Sequence, residues 1–434
     1  MKVSLISRNK YLISYLFIFI LTVITFWPVL FGEFQKAWDD QWVVLNSFTE
    51  NGLELSNISS IFSSFYSGQY APFNQLLYSS IYHFFGYEPF WFHLASLLLH
   101  LSCTTFVFLF VKTLLTDHKG FSSVSVFRIT GMTTLFFAIH VLQVEPVAWI
   151  SASKILVYAF FYLFALLVYL NYIKTAKYYV LLLILMVCSF FGKEQAVTLP
   201  LAMLAIDYFL GRKFTKSVLL EKLPFIIMSL FFGYITLESQ AVIGQGDLSS
   251  QNVFPFYQRI VFGCYCYFEY LFKLLLPIKS MFVYLFPMKF GEPLPIRLWA
   301  YFFLMILLLA AIYSCFKKNK VLVFSFLFFT IHLLTVLHIF SMSRVALMGD
   351  RYLYVASLGL MFFIAYGLDF LVLRYRKMKH LILFIFIFSV IILSMLSHER
   401  SEIWHDSQLL KQDWKEKINL TERRDEGVCS SNEY

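Results

Sequence analysis

The chain is poor in charge: Asp, Glu, Lys and Arg make up 14% of its 434 residues, whereas a soluble domain carries about one quarter. It also has few glycines, prolines and cysteines, with 17, 11 and 6 of each. These values exclude a disordered chain, a nucleic-acid-binding protein and a disulfide-stapled secreted module. By contrast, 59% of the residues are hydrophobic and 20% aromatic, including 52 Phe and 27 Tyr. This composition indicates a polytopic membrane protein.

Eleven apolar runs are candidates for membrane-spanning helices, because a helix needs about 20 apolar residues to cross the hydrocarbon core. They cover residues 11–31, 89–112, 129–149, 154–171, 177–191, 195–210, 223–238, 297–316, 321–340, 351–371 and 380–397. We therefore predict an all-α membrane domain of about 11 transmembrane helices over residues 1–397. Two large outer loops, 32–88 and 239–296, interrupt it, and a short outer tail follows at 398–434.

Basic residues give this bundle an orientation. Lys2, Arg8 and Lys10 precede the first run, so the positive-inside rule predicts a cytoplasmic N-terminus. No small-residue cleavage site follows the run, so we expect an uncleaved anchor. Residues 255–276 are long enough to cross but charged, and a crossing there would put later basic loops outside. We expect an amphipathic or re-entrant surface helix instead, which leaves the C-terminus and almost all acidic residues outside.

Two adjacent carboxylates, Asp39 and Asp40, stand near the start of the first outer loop between Trp38 and Trp42. Carboxylates at a membrane surface are costly unless they are solvated, paired or used in chemistry. One of them can act as general base on an acceptor hydroxyl, while the other orients it, holds a divalent cation or raises its pKa. The alternative is a solvated loop start flanked by interfacial Trp anchors.

The second and third outer turns also carry polar side chains at membrane depth. His140, Glu145 and Lys154 in the second turn exceed what anchoring requires. A structural Glu145–Lys154 ion pair is the alternative. In the third turn Lys193 can meet a phosphate while Glu194 holds it, and an ordinary ion pair within the turn is equally compatible with the sequence.

The fourth outer turn runs from Ser343-Arg344 to Asp350-Arg351-Tyr352-Leu353-Tyr354. Arginine suits forked contacts with phosphate oxygens, and an unpaired charge entering a span is expensive. An Asp350–Arg351 surface pair is the alternative. Together the four outer segments gather carboxylates, a His and several cations on one membrane face, which is typical of a site for a lipid phosphate headgroup. The sequence has no metal-ligand spacing, Walker A or dinucleotide motif.

These motifs occur in a recognisable order. The chain resembles the membrane domain of the transmembrane and tetratricopeptide-repeat-containing O-mannosyltransferases and their bacterial relatives, which have the GT-C glycosyltransferase fold. The resemblance rests on Trp38-Asp39-Asp40, Phe92-His93-Leu94 to His100, His140 to Glu145-Pro-Val-Ala-Trp149, Gly192-Lys193-Glu194-Gln195, Asp350-Arg351-Tyr352-Leu353-Tyr354 with Ser357-Leu-Gly359, and Arg400 to Trp404-His-Asp406 and Leu409.

The resemblance implies an inverting transferase that uses a polyprenyl-phosphate-linked sugar, with mannose as the first candidate. Asp39 or Asp40 would deprotonate an acceptor hydroxyl on the outer face. Lys154, Lys193 and Arg351 would steady the donor phosphate, with His140, Glu145, Glu194 and Tyr354 as further substrate-site candidates. The candidate cofactor is a divalent cation, which one of the two adjacent carboxylates could hold.

Two departures from the family's pattern bear on substrate choice. After Trp149 the family usually has an Arg-Lys-Asp or Gly-Arg-Ala-Asp-like run, where this chain has Ser153-Lys154-Ile155. The tail at 398–434 shows no repeat pattern. We therefore expect the acceptor to be a protein, a glycan or a lipid selected without a repeat array. The plasma membrane of a bacterium is favoured over the endoplasmic reticulum.

Two other functions compete with sugar transfer to a single acceptor. A polysaccharide ligase or polymerase would also handle polyprenyl-linked glycans, but it would be expected to carry His and Arg in a late outer loop, and 239–296 contains no His. A non-enzymatic transporter of lipid-linked glycans would be expected to have paired charges within its spans and related halves with broken helices.

Overall fold

The computed structural model describes residues 2–66, 68–118, 120–241, 254–277, 280–339 and 346–430. These residues are mainly helical and form no β-strand, with isolated bridges at Tyr66–Gln69 and Tyr284–Met348. Their α-helices are α1 (Lys2–Phe26), α2 (Asp40–Val43), α3 (Ser47–Glu50), α4 (Leu55–Ser63), α5 (Pro72–Phe85), α6 (Pro89–Asp117), α7 (Ser123–Ile139), α8 (Val144–Ala148), α9 (Lys154–Thr175), α10 (Tyr179–Gly192), α11 (Leu199–Leu210), α12 (Lys216–Leu220), α13 (Leu223–Ala241), α14 (Phe256–Leu275), α15 (Ile296–Cys315), α16 (Lys320–Leu333), α17 (Leu353–Arg374), α18 (Lys379–Ile403) and α19 (Ser407–Ser430).

Seven helical segments in this part of the chain are long and apolar enough to cross a membrane. They are Asn9–Phe31, Pro89–Asp117, Ile150–Thr175, Lys216–Gln240, Ile296–Cys315, Asp350–Arg374 and Arg376–Ile403. Many of their apolar side chains, such as Ile227 and Phe384, face outward rather than into a core, as expected of helices that meet lipid. The protein is therefore an all-helical chain with the spans of a multi-pass membrane protein.

The remaining predicted spans are shorter or bent. The run at 129–149 is not one helix: α7 ends at Ile139 and α8 follows after a bend of 55° between Ser123–Ile139 and Val141–Ala148. Helices α10, α11 and α16 have 14, 12 and 14 residues, which is less than the roughly 20 needed to cross hydrocarbon alone. A helix lies at each of the eleven runs, but seven meet the length criterion, or eight if the bent pair counts as one.

The first outer loop is itself helical, because α2 to α5 lie within it. The tail contacts the beginning of this loop. The Glu33 amide donates to the His405 carbonyl at 2.7 Å, and Gln35 Nε2 donates to the Trp404 carbonyl at 2.8 Å. Since α1 leads into this loop and α18 leads into the tail, the start of α1 and the end of α18 lie at opposite ends of the bundle. Helix α14, in the second outer loop, is not among the spans.

The end of the bundle away from the first outer loop is held by ion pairs. Arg128 Nε lies 2.5 Å from Asp369 Oδ1 and joins α7 to α17. Lys222 Nζ lies 2.6 Å from the buried Asp207 Oδ2. Because each cation has a carboxylate partner, these charges hold neighbouring helices together at that end.

Candidate active site at the outer end

Asp39 and Asp40 lie where the first outer loop turns into α2. The amides of Trp42 and Val43 donate to the Asp39 carbonyl at 3.1 and 2.8 Å, which closes the first helical turn. Consecutive residues of a helical turn point in different directions, so the two carboxylates meet different surroundings. Asp40 is completely buried and Asp39 is half-buried.

The Asp40 carboxylate joins the first outer loop to the second outer turn. Its Oδ2 accepts from the Gln35 amide at 2.8 Å, and its Oδ1 accepts from the Ser151 amide at 2.9 Å and from the Ser151 hydroxyl. Burial raises the pKa of Asp40, and the Ser151 and Gln35 donors act against that rise. With both oxygens engaged inside the protein, Asp40 is a structural residue of the loop.

The Asp39 carboxylate faces the cations of the outer turns. Burial raises its pKa, while the positive charges of Lys154 and Arg351 and a hydrogen bond from the Trp42 side chain lower it. A carboxylate with a raised pKa is the better proton acceptor when ionised. Of the two neighbours, Asp39 has the accessibility and the surroundings of a general base.

Lys154 begins α9 and lies between the first outer loop and the third outer turn. Its Nζ donates to Gln69 Oε1, so the segment before α5 holds the ammonium in place. The charges acting on it are those of Lys193, Glu194, Asp39 and Arg351. These are four of the residues that the sequence assigned to the site, and Lys154 stands among them.

Lys193 reaches the site because α10 ends close against α9. A Cβ on Gly192 would lie 2.5 Å from the Tyr158 backbone nitrogen, so only glycine allows this approach. Lys193 Nζ lies 3.7 Å from Glu194 Oε1 and 5.6 Å from the centre of the Tyr352 ring. The turn ion pair that the sequence allowed is therefore present, and it stands beside the other cations.

Arg351 is held by Glu145 in a forked arrangement. Its backbone amide donates to Glu145 Oε2 at 2.9 Å, and its Nη1 donates to Glu145 Oε1. The guanidinium also lies over the Trp149 ring, 5.2 Å from the ring centre, and Nη2 donates to the Tyr352 hydroxyl at 3.2 Å. Arginine in such a clamp keeps its charge and its orientation.

The simple ion pairs considered for Glu145 and Asp350 are not the ones that form. Glu145 pairs with Arg351, while Lys154 binds Gln69. Asp350 does not provide the Arg351 counter-ion, because its Oδ1 accepts from the Tyr284 hydroxyl at 2.9 Å and its Oδ2 from the Ser280 hydroxyl. Two elements that are distant in sequence thus supply the salt bridge at this site.

Two of the predicted site residues have their polar atoms engaged elsewhere. His140 accepts from the Leu142 amide at Nδ1 and has the Leu274 carbonyl 3.0 Å from Nε2, so both ring nitrogens serve the backbone. The Tyr354 hydroxyl lies 2.8 Å from His100 Nδ1 inside the bundle. The Ser343-Arg344 part of the fourth turn lies outside the described residues.

Three further residues belong to the candidate site although none of them is among the predicted site residues. Gln69 fixes Lys154, Ser151 fixes Asp40, and Tyr352 lies beside both Arg351 and Lys193. A cavity of about 40 Å³ beside Lys154 is lined partly by Trp42 and Gln69. Gln69 and Ser151 are not part of a recognisable motif. Each acts through a partner more than 80 residues away in the chain, so the local sequence does not indicate either residue.

No cluster of three or more His, Cys, Asp or Glu side chains that would hold a metal ion occurs among the residues that the structure describes. Comparison with known proteins adds no assignment: no family model, curated protein or solved structure matches the chain. The arrangement of side chains at the candidate site is therefore the structural basis for assigning a function.

Proposed function

We propose that the protein is a membrane glycosyltransferase that moves a sugar from a polyprenyl-phosphate-linked donor to a hydroxyl acceptor on the extracytoplasmic face, with inversion at the anomeric carbon. One observation carries the proposal: the half-buried Asp39 carboxylate stands within the electrostatic reach of Lys154 and Arg351. An anionic base beside cations suits a reaction that takes a proton from one group and releases a phosphate from another.

In the proposed reaction the acceptor oxygen attacks the anomeric carbon from the side opposite the phosphate. Asp39 takes the hydroxyl proton as the new carbon–oxygen bond forms. The bond from the anomeric carbon to the phosphate oxygen breaks, and its electron pair leaves with the polyprenyl phosphate. The products are the glycosylated acceptor, the polyprenyl phosphate and a protonated Asp39, which returns its proton to solvent.

The cations would act on the leaving phosphate. Charge grows on that phosphate as the bond breaks, so fixed positive groups stabilise the transition state more than the bound donor. Arg351 is suited to this role because Glu145 and the Trp149 ring hold its guanidinium in one orientation. Lys154 and Lys193 would add charge, with Gln69 and Glu194 positioning them.

His140 and Tyr354 enter the proposal as supports rather than as donor ligands. His140 ties the second outer turn to the end of α14 through the Leu274 carbonyl. Tyr354 ties the start of α17 to α6 through His100. Both contacts fix the helix ends from which Glu145 and Arg351 project.

The side of the membrane follows from the basic residues. The end of the bundle away from the proposed site carries the helix ends with Lys112, Arg128 and Lys174, and by the positive-inside rule that end would be cytoplasmic. The site and the tail would then be extracytoplasmic. Mannose as the sugar and a bacterial plasma membrane as the location are parts of the same proposal.

The test is a transfer assay with the purified full-length chain in proteoliposomes containing polyprenyl-phosphate mannose labelled in the sugar. Candidate hydroxyl acceptors, peptide, glycan and glycolipid, are supplied on one side. Label in the acceptor with the opposite anomeric configuration is the expected result. Growth of a long glycan on one acceptor would instead favour a polymerase, and movement of intact donor across the bilayer without transfer would favour a transporter.

A further inference from the structure

The first turns of α19 lie against a short segment of the second outer loop, residues 280–284. Trp414 Nε1 donates to the Val283 carbonyl at 3.0 Å, and Lys417 Nζ donates to the Ser280 carbonyl at 2.8 Å. Asp413, on the same face of α19, ties the helix to α18, because its Oδ2 lies 2.6 Å from Arg400 Nη1, while its Oδ1 lies 2.7 Å from Lys417 Nζ within α19. The tail helix is thus docked by directional bonds on two neighbouring elements.

Residues 280–284 in turn touch the segment that carries Asp39. The Phe282 ring meets the Trp414 ring at 5.8 Å between centres and meets the Trp38 ring edge-to-face at 5.1 Å. Trp38 immediately precedes Asp39 in the chain. Three aromatic rings in contact therefore connect the tail helix to the residue that precedes the proposed base.

The same segment also supports the turn that carries Arg351, directly before α17. Tyr284 OH and Ser280 Oγ donate to the two oxygens of Asp350. The Tyr284 carbonyl accepts from the Leu347 amide at 2.7 Å. The segment therefore holds both ends of the turn that brings Arg351 into the site.

A third link joins the beginning of the tail to Asp40. Gln35 Nε2 donates to the Trp404 carbonyl at 2.8 Å, and Ser407 Oγ donates to Gln35 Oε1 at 3.1 Å. The Gln35 amide donates to Asp40 Oδ2. The tail therefore acts on both sequence neighbours of Asp39, on Trp38 through Phe282 and on Asp40 through Gln35.

We propose that the C-terminal tail helix is a positioning element of the active site, which acts through residues 280–284 to hold Asp39 and Arg351 in their reactive arrangement. This inference rests on the proposed function. Its physical basis is that reacting groups must be held within about 0.5 Å of the productive geometry. A loop holds its side chains this accurately only when packing fixes them. The contacts of Trp38, Phe282 and Trp414 supply such packing.

The test compares Trp414→Ala and Lys417→Ala with Lys415→Ala in the full-length protein. Lys415→Ala is the matched control. It removes one positive charge from the same helix, at an exposed position two residues before Lys417. Trp414→Phe is a second variant that keeps a ring on Phe282 but removes the indole donor. Each protein is reconstituted in nanodiscs for hydrogen exchange by mass spectrometry and in proteoliposomes for transfer.

Hydrogen exchange measures the order of the turn that carries Asp39, whether or not the protein transfers sugar. The Trp42, Val43 and Val44 amides are bonded within the Asp39–Val44 turn, so their exchange reports the order of that turn. We expect Trp414→Ala to speed their exchange by tenfold or more, Trp414→Phe less, and Lys415→Ala not at all. Unchanged exchange in Trp414→Ala, or loss of protection throughout the bundle, would overturn the positioning role.

The kinetics of sugar transfer measure how the loss of the tail contacts changes the proposed reaction. A positioning role predicts that kcat falls by tenfold or more in Trp414→Ala while the donor KM changes less than threefold, with partial rescue in Trp414→Phe. Equal activity in Trp414→Ala and Lys415→Ala would overturn it. If the wild-type protein transfers no sugar, the proposed function fails, while the exchange result still decides whether the tail orders the Asp39 turn.

Discussion

Asp40 accepts hydrogen bonds from both the backbone amide and the side-chain hydroxyl of Ser151, 111 residues away in the chain. This contact divides the roles of two adjacent carboxylates that the sequence could not separate. Asp40 holds the first outer loop against the second outer turn. Asp39 instead faces Lys154 and Arg351.

Replacement of Asp40 tests this division. Asp40→Asn puts an amide where three donors converge, so at least one buried N–H or O–H loses its acceptor, at a cost of about 1–3 kcal/mol. We expect a lower midpoint of thermal unfolding in detergent, with a smaller decrease for Ser151→Ala because it removes only one of the donors. An Asp40→Asn protein as stable as the wild type would show that the carboxylate is not structural.

The Glu145–Arg351 pair should contribute to stability as well as to the site. The two side chains are 4% and 18% exposed, so Glu145→Gln leaves a largely buried cation without its counter-ion, and we expect destabilisation of about 3–5 kcal/mol. Denaturant unfolding in mixed micelles measures this difference. Glu54→Gln, at an exposed position, is the control and should change stability by less than about 0.5 kcal/mol.

Loss of the Lys154 charge should weaken donor binding. A hydrogen bond from a charged group contributes about 1.5–3 kcal/mol, so Lys154→Gln should raise the dissociation constant of polyprenyl-phosphate mannose by about 10- to 100-fold. Lys177→Gln removes an exposed lysine at the other end of the bundle and should bind the donor as the wild type does. Equal affinity of the two variants would remove Lys154 from the donor site.

Transfer should be lost on the acidic side of its pH profile. Asp39 accepts a proton only when ionised, and burial raises its pKa, so the rate falls as the pH is lowered through that raised value. Lys154 opposes the rise, so the acid limb of kcat/KM in Lys154→Gln should move to higher pH. A shift to lower pH, or no shift, would contradict the electrostatic coupling between the two residues.

The sequence predicted the helices more successfully than the contacts. Apolar runs locate helices because burial in lipid or protein requires hydrophobic side chains over many consecutive residues. They do not fix helix length: the run at 129–149 bends beyond Ile139, and α10 and α16 end after 14 residues. Short helices can be apolar throughout when protein surrounds them, so hydropathy indicates where helices lie but not how long each of them is.

The membership of the site was partly predictable, because charge is rare in this chain and therefore conspicuous. Lys154, Lys193 and Glu194 do lie near one another, as expected. The partners are not predictable from the local sequence: Glu145 binds Arg351 and not Lys154, and Tyr354 binds His100 instead of facing the cations. Pairing over 200 residues depends on how helices pack, which local sequence patterns do not specify.

The central claim is that Asp39 is the base of a sugar transfer from a polyprenyl-phosphate donor, and single-turnover transfer in proteoliposomes tests it most directly. The comparison is between wild type, Asp39→Asn and Glu33→Gln, the last an exposed carboxylate in the same loop. We expect transfer by wild type and Glu33→Gln, and a rate lower by about 10²–10⁴-fold in Asp39→Asn, with unchanged thermal unfolding. Full activity in Asp39→Asn, or no transfer by the wild-type protein with any of the acceptors, would contradict it.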